Sequence, residues 1–257
     1  MENCKKLSEQ LIENSKVHYY GAVNHLFVEE MVNGTLDKEK FKKYLIQDYV
    51  FINSFVHLVS YILAYSETMY QKYRFSKFLA MITSDENGYF IRSFEELGVS
   101  TEVYSTAKLS PVMEKFLSLI NKGIATGKED SARGYRNCLA VLMCAESVYC
   151  DWGVKNENKS PKEYYFNEWI KLHNNEDFRE LVKWLKEEVD NIHFSNSDEE
   201  KEMTVSEFIE NLGKEKNMNL SGAVVLIDDD VVKKADWDKS FVKAGAAVEV
   251  LAFVSGG

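Results

Sequence analysis

The pattern of apolar residues from Phe41 to Ser66 predicts a long helix with a broad buried face. Apolar side chains recur there at intervals of three and four residues, which places them on one side of a helix. This face contains Phe41, Tyr44, Leu45, Tyr49, Ile52, Phe55, Val56, Val59, Ile62 and Leu63. Asp37 is the expected N-cap, and Asn33-Gly34 is expected to end a preceding helix or pair of helices within residues 5–32. We therefore expect this helix to lie in the core.

Helical periodicity continues to about residue 190, where the pattern changes. The stretch from Tyr70 to Gly98 and the stretch from Tyr135 to Gly153 both have helical spacing, and glycine is a common helix end. Beyond residue 190, short valine-rich runs alternate with turn residues, a texture typical of strands. The chain is thus predicted to form an all-α helical bundle, residues 1–190, followed by a small α+β domain, residues 191–257.

Composition and charge restrict the possible partners. Hydrophobic residues make up 45% of the chain and charged residues 28%, as in an ordinary globular protein, and the formal net charge is −10. This negative charge argues against nucleic acid as a partner, because phosphate binding requires basic patches. No apolar run reaches the ~18 residues of a membrane span, and the N-terminus lacks the apolar segment of a signal peptide. We therefore expect a cytoplasmic protein that binds neither nucleic acid nor membrane.

The cysteines and histidines do not have the spacing of a metal site. The four cysteines contain no C-x-x-C pair, so neither a zinc site nor a disulfide framework is predicted. Glu86 is a conceivable partner of His25 or His57 in a metal site, but the five histidines form no Glu-x-x-His pair. His25 is more simply interpreted as a hydrogen-bonded structural histidine. We expect neither a metal nor a cofactor.

Asp48 is a polar exception on the apolar face of the first long helix. A buried carboxylate without a partner is unfavourable, so it is usually neutralised or paired. Phe51 lies three residues later and projects to the same side. A carboxylate beside an aromatic ring can hold a flat heterocycle that offers an N–H donor. The other interpretation is that Asp48 pairs with an arginine or caps a neighbouring helix, and this stretch alone favours it.

Glu146 is a second acid in apolar surroundings. Within its helix, residues at spacings of three and four share its face, namely Leu142, Ala145 and Tyr149. A carboxyl group in that setting should have a raised pKa, which suits general acid or base catalysis. The alternative is a solvated or paired glutamate, and the helix alone slightly favours that interpretation.

The run from His25 to Asp48 resembles the opening of the TenA/thiaminase II family, with its pattern "H-x-F-V … G-x-L … F-x-x-Y-x-x-Q-D". The segment Phe-Asn-Glu-Trp-Ile, residues 166–170, is similar to the family's "Y-x-x-W-I", so the resemblance covers about residues 5–190. It implies a haem-oxygenase-like helical fold and a homotetramer. It also implies a hydrolase that releases ammonia from an aminopyrimidine and so salvages the pyrimidine of thiamin as hydroxymethylpyrimidine.

The resemblance also implies which residues bind the substrate. These are Asp48, Phe51, Phe116, Tyr149 and Phe166. Phe116, in the helix opened by proline, and Phe166 take the places of family tyrosines, so the rings are kept and the hydroxyls are lost.

The nucleophilic cysteine of most members corresponds to Ala145 here. The segment instead resembles the subgroup that lacks the cysteine and has a glutamate one residue later. This implies direct attack of water with Glu146 and Asp48 as catalytic carboxylates, Glu146 moving protons and Asp48 holding the ring. Cys144 is turned by ~100° around the helix and is not expected to substitute. The acid of the family's last helix matches Glu215 only weakly, because no Phe-Trp pair follows. Loss of this last helix would impair the hydrolase, and a non-catalytic pyrimidine-binding or scaffold domain is the alternative.

The last part of the chain contains four segments in a characteristic order, at 203–213, 222–232, 236–240 and 241–257, the last ending in Ser-Gly-Gly. With these segments, residues 191–257 resemble the sulfur carrier ThiS. This resemblance implies a ubiquitin-like β-grasp with a first strand at 191–195 and a hairpin that turns at 228–230. It also implies a C-terminal Gly256-Gly257 that a ThiF-like enzyme adenylates and that delivers sulfur to a thiazole synthase. Together the two resemblances predict a fusion of two functions in thiamin metabolism.

Overall fold

A computed structural model describes residues 5–192, 203–216, 218–227, 230–242 and 248–251. The chain divides into two compact units, residues 1–192 and 193–257.

The first unit is helical throughout its described length. Its helices are α1 (Leu7–Asn14), α2 (Lys16–Val23), α3 (Leu26–Val32), α4 (Lys38–Tyr65), α5 (Met69–Met81), α6 (Asn87–Leu97), α7 (Thr101–Ser105), α8 (Pro111–Thr126), α9 (Ser131–Lys155), α10 (Tyr164–Leu172) and α11 (Glu176–Asp190). A π-helical segment, Ile82–Glu86, joins α5 to α6. Among the described residues, no helix is both long enough and apolar enough to cross a membrane.

Several predicted helix boundaries are confirmed, and the reasons are local. The Asp37 carboxylate accepts a hydrogen bond from the backbone N–H of Lys40 at 3.0 Å and starts α4. Gly34 and Gly98 follow α3 and α6 with φ of 69° and 66°, the left-handed conformation that glycine adopts without strain. The stretch 5–32 differs from expectation, since it forms three short helices rather than one or two.

Helix α4 joins two buried clusters. Its first turns pack into an aromatic cluster, whose largest members are Phe41, Tyr89, Phe90, Phe94, Trp152, Tyr165, Phe166 and Trp169. Its later turns pack into a more aliphatic cluster with α5, α9 and α11, which includes Phe55, Leu58, Val59, Ile62, Leu139, Leu142, Val182 and Leu185. On α4, Asp48 lies between these two sets, and Phe51 is the first α4 member of the second set. The one acid of the buried α4 face thus lies where the two clusters adjoin.

Helices α8 and α9 approach each other closely at a pair of glycines. A Cβ atom built on Gly134 would overlap Gly127 and the Tyr61 hydroxyl group. A larger residue at this position would force the two helices apart. The contact therefore fixes α8 relative to α9, and these two helices carry Phe116 and Glu146.

The second unit combines one helix with short antiparallel strands. Its elements are β1 (Met203–Thr204), α12 (Val205–Lys216), β2 (Val224–Ile227), β3 (Asp230–Val232), a 3-10 turn (Lys234–Asp236), β4 (Phe241–Val242) and β5 (Val248–Leu251). Strand β1 pairs with β4, and the other three strands form a sheet in the order β3-β2-β5. Ile227 pairs with Asp230, so β2 and β3 are antiparallel neighbours. Of the turn expected at 228–230, residues 228–229 lie outside the described residues and Asp230 belongs to β3. Of the strand expected at 191–195, residues 193–195 lie outside the described residues.

Helix α12 packs against the strands of its own unit. Val205 and Ile209 from the helix are buried in one cluster with Val225 from β2 and with Trp237. The Trp237 indole N–H donates a hydrogen bond to the backbone carbonyl of Val232 at 3.2 Å. The unit has a small apolar core, while its identification as a ubiquitin-like β-grasp stays a prediction.

Candidate active site

A cavity of about 200 Å³ lies within the helical unit. Its wall is mostly aromatic and aliphatic, with three acids and one histidine. The lining residues are Tyr44, Gln47, Asp48, Phe51, Ile52, Phe55, Phe78, Met81, Glu86, Met113, Phe116, Ala145, Glu146, Tyr149, Trp169, Leu172, His173 and Phe178. A concave apolar site with a few polar groups is the usual form of a small-molecule pocket.

Three carboxyl groups from different elements meet in this cavity. Asp48 comes from α4, Glu146 from α9 and Glu86 from the π-helical segment. The side chains of Asp48 and Glu146 are only 8% and 7% exposed, and Glu86 is partly buried. None of the three forms an ion pair with any lysine, arginine or histidine in the described part of the chain.

Burial raises the pKa of all three acids. It raises the pKa of Asp48 to about 7, against an opposing hydrogen-bonding effect of the Tyr44 hydroxyl. Burial, and then the negative charge of Asp48, raises the pKa of Glu146 to about 8. Burial, and then the charges of Asp48 and Glu146, raises the pKa of Glu86 well above its ordinary value of 4.5. Near neutral pH, these acids therefore retain protons that exposed carboxyl groups would have lost.

The aromatic wall supplies flat surfaces beside the acids. The rings of Phe51 and Phe116 stack with centroids 4.9 Å apart and an interplanar angle of 15°. The hydroxyl oxygens of Tyr44 and Tyr149 lie 3.2 Å apart, within hydrogen-bonding distance. Acceptor groups thus adjoin a stacking surface, which is the combination that a nitrogen heterocycle requires.

His173 is a buried neutral side chain at the cavity wall. Its Nδ1 lies 2.8 Å from the backbone carbonyl of Trp169, and the Tyr149 ring stacks on it at 4.7 Å. Burial lowers its pKa to about 4, so it carries no charge near neutral pH. Sequence analysis did not single it out, although its spacing of four from the apolar Trp169 indicates the same helix face.

Five of the sequence-predicted residues line the cavity together, namely Asp48, Phe51, Phe116, Glu146 and Tyr149. Ala145, the position of the absent cysteine, also lies in its wall beside Glu146.

Of the other predicted residues, Phe166 does not line this cavity. Phe166 is 1% exposed and packs edge-on against Phe41, with centroids 4.8 Å apart, inside the aromatic cluster. It precedes His173 by seven residues, or about 10 Å along a helix, so it lies too early on that face. Glu215 belongs to α12 of the second unit, and its side chain is outside the described residues. Gly256 and Gly257 are outside them as well.

Glu86 is the cavity acid whose place the sequence analysis missed. Neither histidine once considered as its partner lines the cavity: His25 accepts a hydrogen bond from the backbone N–H of Phe27, and His57 is exposed. The signal was present nevertheless, because Glu86 lies four residues from Ile82 and four from Phe90 on an otherwise buried face.

No activated thiol is found among the described cysteines. Cys144 does not line the cavity, and burial raises its pKa and that of Cys150. Burial raises the pKa of Cys138 to about 11. Since the thiolate is the nucleophilic form, these residues are poor nucleophiles.

Known proteins resemble the chain over most of the helical unit. The profile of the TENA/THI-4/PQQC family matches residues 12–217, which extends into α12. An aminopyrimidine aminohydrolase from Bacillus subtilis (strain 168) is 26% identical over 179 residues, 69% of this chain and 73% of that protein. One from Helicobacter pylori is 24% identical over 209 residues, 79% of this chain and 92% of that protein.

Solved structures share the helical fold. A TenA homologue from P. horikoshii OT3 superimposes with a TM-score of 0.64 at 19% identity, covering 76% of this chain and 89% of that one. A TenA homologue from Pyrococcus furiosus gives a TM-score of 0.63 at 20% identity, covering 74% and 88%. With a family profile that matches most of its length, the chain belongs to the TENA/THI-4/PQQC family.

Proposed function

We propose that the helical unit is an aminopyrimidine aminohydrolase of the type that lacks the cysteine. It releases ammonia from an aminomethylpyrimidine, or acts on a formylaminomethyl precursor, and produces hydroxymethylpyrimidine for thiamin salvage. The relatives named aminopyrimidine aminohydrolase support this reaction class. The observation that carries the proposal is that Asp48 and Glu146, both buried and without ion-pair partners, line one aromatic cavity.

Asp48 and the ring pair bind the pyrimidine in this proposal. The Asp48 carboxylate accepts hydrogen bonds from the ring N–H or amino group, and its pKa of about 7 allows that anion to form near neutrality. Phe51 or Phe116 stacks on the heterocycle. Tyr149 completes this wall.

Glu146 activates water in this proposal. Its carboxylate takes a proton from a water molecule, whose oxygen attacks the exocyclic carbon of the substrate. The carbon–nitrogen bond breaks, and the amine leaves as ammonia after it gains a proton. Because Ala145 replaces the cysteine, no covalent sulfur intermediate forms.

The test is ammonia release from aminomethylpyrimidine by the purified full chain. Glu146→Gln should abolish release while the pyrimidine still binds, whereas Asp48→Asn should weaken binding. Cys144→Ser is the matched control, since Cys144 neighbours the site in sequence without lining the cavity, and it should keep full activity. A wild-type chain that binds the pyrimidine and releases no ammonia would contradict the proposal.

The alternative is a helical unit that binds the pyrimidine, or serves as a scaffold, without catalysis. It is favoured by the packing of α12, the helix of Glu215, against the strands of the second unit. Glu86 argues for catalysis, because it supplies a second glutamate beside Glu146 in the cavity. The same ammonia assay separates the two possibilities.

We further propose that residues 193–257 form a ThiS-like sulfur carrier. The order of β1, α12 and the antiparallel pair β2–β3 supports this proposal. Incubation with a ThiF-like adenylating enzyme, ATP and a sulfur donor should convert the terminal carboxylate to a thiocarboxylate, visible by mass spectrometry as exchange of one oxygen for sulfur. The product should then supply sulfur to a thiazole synthase. A chain lacking Gly256-Gly257 is the control and should remain unmodified.

We also propose that the chain assembles as a homotetramer. Light scattering during gel filtration measures the mass directly. A monomeric mass at micromolar concentration would contradict this proposal.

A further inference from the structure

We propose that Glu86 is the proton donor to the departing amine, the partner of Glu146 across one catalytic step. This inference rests on the proposed hydrolase function and deepens it. The second catalytic acid of the site is then Glu86 in the π-helical segment of the helical unit, and not Glu215.

The position of Glu86 is unusual for a structural glutamate. It ends the π-helical segment Ile82–Glu86 between α5 and α6, and such segments are frequent at functional sites. Its neighbours at spacings of four, Ile82 and Phe90, are only 2% and 0% exposed. Across the described ranges of the chain, the Glu86 carboxyl group forms no ion pair or hydrogen bond. An acid on a buried face without partners lowers the stability of the fold. Its presence there is explained if a ligand or a reaction uses it.

The groups that face Glu86 keep it protonated. The negative charges of Asp48 on α4 and Glu146 on α9 raise its pKa. The charge of Glu86 in turn raises the pKa of Tyr89 and of Tyr149. No cation among the described residues pairs with these acids, and the nearby His173 is neutral because burial lowers its pKa. When Glu146 ionises, its negative charge raises the pKa of Glu86 further. The pair therefore holds one proton on Glu86 while Glu146 is a carboxylate.

That protonation state is the one which hydrolysis needs. Glu146 removes a proton from water as the oxygen–carbon bond forms, and Glu86 donates its proton to the amine nitrogen as the carbon–nitrogen bond breaks. The products are the hydroxymethyl compound and neutral ammonia. Glu86 is then ionised and Glu146 protonated, and transfer of one proton from Glu146 to Glu86 through water restores the starting state. Atoms and charge balance without another reactant.

A second independent observation indicates that a ligand belongs beside Glu86. Glu146, more than nine-tenths buried and also without a hydrogen bond or ion pair in the described chain, lines the same cavity. Two such acids beside the stacked rings of Phe51 and Phe116 form a site for a polar aromatic molecule.

The experiment uses two leaving groups with the full-length chain. The first substrate is aminomethylpyrimidine, whose amine must gain a proton before it leaves. The second carries a pyridinium group on the same carbon, which leaves as neutral pyridine and needs no proton. Glu86→Gln should lower kcat for ammonia release by about 100-fold or more and leave pyridine release unchanged. Glu146→Gln should lower both, because water must be activated in either reaction.

Asp85→Asn is the matched control. Asp85 is exposed, adjoins Glu86 in sequence and does not line the cavity, so both reactions should be unchanged. A pH profile gives a second readout for the amine substrate alone. Loss of the proton from Glu86 should cause kcat to decline at alkaline pH, because only the protonated acid can donate to the amine. That decline should disappear in Glu86→Gln.

The outcomes distinguish this inference from the proposed function. A wild-type chain without ammonia release refutes the hydrolase itself. A working wild type with an active Glu86→Gln variant, or with an unchanged alkaline decline, overturns the role of Glu86 alone. Equal loss of both reactions in Glu86→Gln shows a structural or binding role and also overturns it.

Discussion

Two buried tyrosine hydroxyls of the aromatic cluster and two buried acids of the cavity differ in the partners that the fold gives them. In the cluster, the Tyr89 hydroxyl donates to the backbone carbonyl of Tyr165 at 2.7 Å, and the Tyr19 hydroxyl donates to Asp151 at 2.7 Å. In the cavity, Asp48 and Glu146 are equally buried, yet neither has an ion-pair partner among the described residues.

The difference separates groups that stabilise the fold from groups that it tolerates. A buried hydroxyl with a hydrogen bond contributes about 0.5–1.5 kcal/mol to stability, whereas a buried ionised acid without a cation is unfavourable. Sites that retain such acids are commonly functional, because activity and stability make opposing demands. Substitution of a cavity acid should therefore lower activity and raise stability at alkaline pH. Substitution in the aromatic cluster should lower stability and leave activity unchanged.

The largest expected effect is on activity, in the cavity. Glu146→Gln should lower kcat for ammonia release by about 100-fold to 10,000-fold, the range for loss of a general base. The helical content measured by circular dichroism should not change, because glutamine has nearly the shape of a protonated glutamate. A variant that is inactive because it is unfolded would break the comparison.

The next largest effect is on stability, in the aromatic cluster. Phe41 is 0% exposed, and Phe41→Ala should lower the free energy of unfolding by about 3–5 kcal/mol through the lost contacts and the cavity left behind. Urea unfolding followed by circular dichroism measures this loss. A change below about 1 kcal/mol would show that the cluster repacks freely.

Glu146→Gln should also stabilise the helical unit at alkaline pH. The pKa of Glu146 is raised from 4.5 to about 8 in the folded protein, so its favourable contribution exists at acidic pH and is lost as the pH rises through about 8. At pH 9 the variant should be more stable than the wild type by about 1–3 kcal/mol, with a smaller difference at pH 5. Exposed Glu114 supplies the control substitution, Glu114→Gln, which should show no such dependence. Equal stability of Glu146→Gln and wild type at both pH values would contradict this sign.

The smallest expected effect is the loss of one buried hydrogen bond in the aromatic cluster. Tyr89→Phe removes the hydrogen bond to the Tyr165 carbonyl and should cost about 0.5–1.5 kcal/mol of unfolding free energy. Ammonia release should stay at the wild-type level, because Tyr89 does not line the cavity. Loss of activity at unchanged stability would place Tyr89 with the functional groups instead.

Local chemistry made much of the helical unit predictable. Single residues with strong local preferences set several helix ends. Asp37 caps α4, glycines follow α3 and α6, and a proline starts α8. Such signals do not depend on the arrangement of distant helices. Periodicity also marked Asp48 and Glu146 as acids within apolar faces, but by itself it favoured a paired, capping or solvated side chain, and only the family resemblance assigned both to a site.

The sequence did not show how far along a helix axis the cavity lies, and so which residues of one helix face reach it. Phe166 and His173 share a face of α10 and its C-terminal end, yet only His173 lines the cavity. Glu86 interrupts its apolar face as Asp48 does, but periodicity alone does not say which apolar faces meet. The helix packing that joins Glu86 to Glu146 is a tertiary property.

The stacked rings of Phe51 and Phe116 bear on the kinetics of ligand entry. Aromatic faces pack about 3.5 Å apart, so a ring inserted between them would require a separation of about 7 Å. Their centroids are 4.9 Å apart, and Phe116 is carried by α8, which the glycine contact holds against α9. A flat ligand that stacks on one outer face leaves the ring pair together, whereas a ligand inserted between the rings must first separate them, which would slow its association.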